Sequence, residues 1–176
     1  MYIHNDSANS KLVTINESLH YYLGNIHSDE DVYIDITGTI IVMGAIVVKK
    51  SGSLIVKNGN LKAFSVNVEG RIYSQDNISV LRDLKANGDI CAASIKAHSV
   101  RSCNGNIYTK YSLSATSSVI AGCGIVCGTN IDAKQLVRAK ENIYAGALKG
   151  ILPVAERQVR TRRCEGYVAN GILVTY

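Results

Sequence analysis

The sequence predicts an all-β fold, a triangular parallel β-helix (β-solenoid) with a repeat of about 18 residues per coil. Three observations carry that expectation. From Ile72 an aliphatic residue recurs about every six positions: Ile72, Ile78, Leu84, Ile90, Ile95, Val100, Ile107, Leu113, Val119, Ile125, Ile131, Val137, Ile143 and Leu148. The residue two places after each is small in thirteen of fourteen cases, Val80 being the exception, so the second inward slot of each strand is narrow. Finally, the sixes group by threes, with Ile36, Leu54, Ile72, Ile90, Ile107, Ile125 and Ile143 at intervals of 18, 18, 18, 17, 18 and 18. A helix would return a face at three and four residues, whereas an in–out–in triplet followed by a corner is strand geometry. Repeats of this kind stack one supersecondary unit on the next around a shared core.

Composition agrees. The 176 residues contain one Pro, one Phe and no Trp, but 15 Gly and 10 Tyr, so the interior has to be built from Ile, Val and Ala. The formal net charge of +5 allows an acidic partner without requiring one. Cys91, Cys103, Cys123, Cys127 and Cys164 make an odd count, and Met1 to Lys11 is polar with no apolar leader. Free thiols in a reducing, cytoplasmic setting are therefore expected. The longest apolar run, Ile40 to Val48, is far shorter than the roughly twenty residues of a membrane-spanning helix, so no membrane partner is expected.

Residues 1–31 read as an N-terminal cap, with Leu12, Val13, Ile15, Leu19, Tyr21, Tyr22 and Leu23 as its apolar content. Residues 32–150 form the parallel β-helix; the stretch 32–70 is less regular and carries Val56 and Val68 where later coils have Ala. Two further series fill the other sides: Val48, Val66, Leu84, Val100, Val119 and Val137, and Leu61, Ile78, Ile95, Leu113, Ile131 and Leu148. Corners carry Asn, Asp, Ser or Gly, for example Asn77, Asp89, Asn106 and Gly124, residues that tolerate tight backbone. Residues 151–176 break the period at Pro153 and end in Tyr167 to Val174, where Asn170-Gly171 between apolar runs predicts a hairpin that caps the coils or dimerises.

Two outward columns are candidate surfaces. On the first side the middle residues are Ile55, Tyr73, Cys91, Tyr108, Val126 and Tyr144, an aromatic and aliphatic ladder that suits protein binding. On the third side they are Lys49, Asn67, Lys85, Arg101, Ile120 and Arg138, and a second basic cluster follows at Arg157, Arg160, Arg162 and Arg163. Evenly spaced cations are the footprint of phosphate tracking, or else a solvated face whose charge discourages aggregation. Cys123 and Cys127 have no neighbouring His, so neither a metal nor a cofactor is expected. No catalytic constellation emerges.

The segments Asn87-Gly88-Asp89-Ile90-Cys91-Ala92, Ser94-Ile95-Lys96-Ala97 and Asn130-Ile131-Asp132-Ala133 resemble the Ile-x-Ala hexads of bacterial and phage β-solenoids and, more loosely, bactofilins. The resemblance covers about residues 50–150 and is one of fold pattern. It implies a structural or scaffolding role without catalytic residues. Hexad acyltransferases differ in phase: their second small inward position falls here on Asp76, Arg82, Tyr111, Gln135 and Glu141, and His98 is the sole His after residue 27.

The functional expectation is a non-enzymatic protein-binding or scaffolding module, a homodimer in its simplest use, with a phage-type inhibitor of a host complex as its specific version. A nucleic-acid-associated module and an acyltransferase-like enzyme are the alternatives.

Overall fold

The computed structural model describes residues 1–4, 11–147 and 157–176. Its strands, in chain order, are β1 (Tyr2–His4), β2 (Leu12–Asn16), β3 (Leu19–Tyr22), β4 (Ile26–Ser28), β5 (Val32–Val48), β6 (Leu54–Val68), β7 (Ile72–Ser74), β8 (Ile78–Val80), β9 (Asp83–Ala86), β10 (Ile90–Ala92) and β11 (Ile95–Ala97). They continue with β12 (Ser99–Ser102), β13 (Ile107–Thr109), β14 (Leu113–Ala115), β15 (Ser118–Ala121), β16 (Ile125–Cys127), β17 (Ile131–Ala133), β18 (Leu136–Ala145), β19 (Gln158–Thr161), β20 (Arg163–Asn170) and β21 (Ile172–Thr175).

Every third short strand pairs in parallel with the one a coil earlier. β7, β10, β13 and β16 build face one, β8, β11, β14 and β17 face two, and β9, β12, β15 and the first part of β18 face three. The long strands β5 and β6 wrap all three faces. The expected parallel β-solenoid of repeated three-sided coils is thus the observed fold.

Alternation sets the core. Each triplet buries its first and third residues and turns the second outward, so Ile stacks on Ile and small residue on small residue down the axis. Ile72, Ile90, Ile107, Ile125 and Ile143 are at most 1% exposed. Burial of these stacks, at roughly 25 cal/mol per Å² of apolar surface, is the main stabilising contribution, and the parallel ladders satisfy the backbone between coils. Two of the polar residues in the small slots bond to nearby backbone. Ser102 Oγ donates to the Gly88 carbonyl at 2.8 Å, and the Cys127 thiol donates to the Tyr111 carbonyl at 2.9 Å.

Corners are held by side chains that bond the next coil. Asp89 Oδ1 accepts the Asn106 N–H at 2.8 Å, and Asn106 Oδ1 accepts the Gly124 N–H at 2.9 Å. Gly122 is required by contact rather than by dihedral angle: a Cβ there would overlap the Cys103 carbonyl.

The first coils are larger than the repeat predicts, and this corrects two series. Val32, not Ile36, stands over Leu54, because the step along face one is longer there than in the later coils. Two of the additional residues are taken up by register shifts between Asp35 and Gly38, where Ile36 is buried, and between Val42 and Ala45, and the rest by the longer corner between Val48 and Leu54. Likewise Val66 pairs with Ile46, and Val48 with Val68.

The stretch expected as a cap also contributes a coil: β1, β3 and β4 all pair in parallel with β5. Among the described strands β2 alone runs antiparallel, along the outer edge of β3. Thr14 on β2 donates to Nδ1 of the buried His20 at 3.1 Å, while Nε2–H donates to the Thr37 carbonyl at 3.1 Å, a tautomer fixed because a carbonyl can only accept.

The C-terminal hairpin is not formed. β20 pairs in parallel with β18, and β21 in parallel with β19, so Asn170-Gly171 is a solenoid corner between two strands of a further coil. Gly171 takes a φ of 114° there, which suits a corner as well as a hairpin turn. Val159 occupies the place over Ile131 that the repeat assigned to Leu148; Leu148, Gly150 and Pro153 lie outside the described residues.

Candidate functional site

The outward column of face one holds its expected members in register and is longer than expected. Tyr2, Tyr33, Ile55, Tyr73, Cys91, Tyr108, Val126, Tyr144 and Asn170 stand on nine successive rungs. From Tyr33 onward a tyrosine occupies every second rung as far as Tyr144. Rungs are about 4.8 Å apart, so these tyrosines repeat at about 9.6 Å. Tyr73, Tyr108 and Tyr144 are 49%, 41% and 36% exposed, while Ile55, Cys91 and Val126 between them are half-buried. The face is a corrugated strip: rings project, and shorter side chains form the floors between them.

Tyr2 and Tyr33 escape the 18-residue count because their coils are longer. The triplet Val32-Tyr33-Ile34 nonetheless matches Leu54-Ile55-Val56 in pattern, which is the signal that finds Tyr33. The rings of Tyr2 and Tyr33 stack with centroids 4.8 Å apart, and the Tyr33 hydroxyl donates to Asp31 Oδ2 at 3.2 Å. That hydrogen bond, reinforced by the carboxylate charge, raises the phenol pKa above its ordinary value.

Between Ile55 and Cys91 the strip opens into a depression of about 350 Å³. Its floor is apolar (Leu54, Ile55 and Ile72), and its margins carry Lys57, Arg71 and Asp89. Burial, and secondarily the Asp89 charge, pushes the Cys91 thiol pKa up, so at neutral pH it is a protonated wall residue and a poor nucleophile.

The basic residues do not converge. The third-face column reads Val47, Asn67, Lys85, Arg101, Ile120, Arg138 and Glu165. Lys49 is therefore outside it: its carbonyl accepts the Gly52 N–H at 2.9 Å, which places it in the corner beyond Val48. Lys85 and Arg101 are the one adjacent basic pair of that column, and Arg138 is bonded to Glu165. The C-terminal arginines are dispersed as well. Arg160 stands over Asp132 on face two, Arg163 pairs with Glu165 at 2.7 Å, Arg162 is an exposed corner residue, and Arg157 is half-buried.

The residues that would have to turn inward in an acyltransferase phase do not: Arg82, Tyr111, Gln135 and Glu141 are exposed, and His98 is an exposed residue bonded to Thr116 Oγ1 at 2.8 Å. Among the described residues no group of three or more His, Cys, Asp or Glu could hold a metal, and no helix is long and apolar enough to cross a membrane. Comparison with known protein families, with curated proteins and with solved structures returns no match.

Proposed function

We propose that the chain is a non-enzymatic scaffold that binds a protein partner through face one. The observation that carries this reading is the alternation of projecting tyrosine and recessed Ile55, Cys91 and Val126 over seven consecutive rungs. Tyrosine supplies large contact area with few rotatable bonds and is enriched where proteins meet. A rigid parallel ladder fixes the spacing of these rings before any partner arrives, which lowers the ordering cost of binding. The third face supports a nucleic-acid track less well, because its cations are interrupted by Asn67 and Ile120 and neutralised at Arg138.

The test is a capture experiment with the full chain as bait in its native host, run beside Tyr73→Ser/Tyr108→Ser/Tyr144→Ser and Lys85→Glu/Arg101→Glu/Arg138→Glu variants. Loss of a specifically retained protein with the tyrosine variant alone supports the reading. Loss with the charge-reversed variant alone, together with nuclease-sensitive retention, overturns it in favour of a nucleic-acid module.

A further inference from the structure

We infer that the partner fitted by face one is a second copy of the same chain, packed face to face with its coil axis reversed. This rests on the reading of face one as the contact surface, and it goes further by naming the occupant.

The corrugation is self-complementary. Counting rungs from Tyr2 as the first, Tyr33, Tyr73, Tyr108 and Tyr144 stand on the even rungs, and Ile55, Cys91 and Val126 on the odd ones between them. A two-fold axis lying in the interface parallel to the strands reverses the rung order and keeps the strand direction. Any such reversal that sets even rungs against odd ones drops each ring into a gap of the opposite strip. A surface has to repeat at about 9.6 Å to fill every gap, and this chain carries such a surface itself. The contact is isologous and closed, so it stops at two copies.

Charge and length of overlap together select the register. Centring the axis between Cys91 and Tyr108 places Tyr108 over Cys91 of the second copy, Tyr73 over its Val126 and Tyr144 over its Ile55. Along the margins Asp89 then meets Asn106, Lys57 meets Gly146 and Lys110 meets Ala93, so no like charges oppose. Shifting the centre by one rung to lie between Tyr73 and Cys91 sets Lys57 against Lys110, a repulsive pair. The favoured register overlaps eight rungs. That is a patch about 34 Å long and, with its margins, about 18 Å wide, or roughly 1,200 Å² counted over both copies, which reaches the lower bound of stable interfaces.

The experiment is light scattering coupled to size exclusion on the full chain over a concentration series. The expected mass is twice 19.0 kDa. Tyr108→Arg puts a cation at the centre of the contact and brings the mass down to 19.0 kDa; because the Tyr108 side chain is exposed in the single chain, the variant keeps the parent's circular dichroism spectrum. Cys91→Glu does the same. An equimolar mixture of the Tyr108→Arg and Cys91→Glu chains recovers the double mass, since the new Arg and Glu oppose each other only in the register given above. A monomer at every soluble concentration overturns the inference. If tyrosine-dependent capture of another protein persists in that case, face one still stands as the contact surface; if the tyrosine substitutions are silent there too, both readings fall. A dimer that Tyr108→Arg and Cys91→Glu leave intact places the contact elsewhere and also overturns the inference.

Discussion

Arg138 stands one rung from Glu165 in parallel register, and its guanidinium is bonded to that carboxylate, which Arg163 also approaches at 2.7 Å. The last described coil is thereby tied electrostatically to the one before it, and the outward basic column ends in a neutralised pair.

A pH dependence follows. The hydrogen bond from Arg138, with the charges of Arg138 and Arg163, holds the Glu165 carboxyl below the ordinary carboxylate range. A folded pKa below the unfolded one means that the stabilisation is fully present above the unfolded value, about 4.3, and disappears as pH falls through the folded value. The thermal midpoint of the parent is therefore expected to drop more steeply than that of Glu165→Gln as pH is lowered from 5 to 3, as read by circular dichroism melts. Equal slopes would show that the pair contributes nothing to folding.

Core substitutions separate the two inward columns. Ile125 stacks between Ile107 and Ile143 with no exposure, so Ile125→Ala is expected to cost about 2–5 kcal/mol in denaturant unfolding. Ala121 lies between Ser102 and Ala139 in the narrow column, where Ala121→Leu is expected to cost about 1–3 kcal/mol by overpacking. A stabilising Ala121→Leu would mean the narrow column has room that the stacking does not show.

Corner bonding is testable at Asn106, whose side chain accepts the Gly124 N–H of the following coil at 2.9 Å. Asn106→Ala is expected to destabilise by about 1 kcal/mol and to speed amide exchange at Gly124. Unchanged exchange at that amide would show that the side chain does not hold the corner.

Cys91 reports the electrostatics of the depression. With its thiol pKa raised by burial and by Asp89, maleimide labelling at this residue is expected to lag an unperturbed thiol at pH 7, and to keep rising with pH above 9, followed by peptide mass analysis. A labelling rate that is half-maximal at about pH 8.5 would place the thiol at its ordinary value.

Residues 72–143 are legible in the sequence because every coil there reuses nearly the same strand and corner lengths, so a constant period finds each inward residue and with it Tyr73, Tyr108 and Tyr144. The period fails where coil size changes. Ile36 keeps the regular spacing to Leu54, yet the longer second coil brings Val32 to that place, and the same slip puts Lys49 in the basic column where Val47 stands and leaves Tyr33 unnoticed. Asn170-Gly171 misleads for another reason. A hairpin turn and a solenoid corner make the same local demands on backbone, and what decides between them is the pairing of Val168 with Ile143, a full coil earlier in the chain. Arg138 shows the limit for sites: its cationic column is visible in the sequence, but the carboxylate that neutralises it, Glu165, arrives only with the following coil.

The central claim, that face one is where two copies of the chain meet, is tested most directly by hydroxyl-radical footprinting of the full chain across a concentration series. Oxidation of Tyr73, Tyr108 and Tyr144 is expected to slow as concentration rises, while Tyr176, exposed beside face two with its hydroxyl on Asp132, stays unchanged as the internal reference. Constant rates at all four residues, or protection confined to Tyr176, would contradict it.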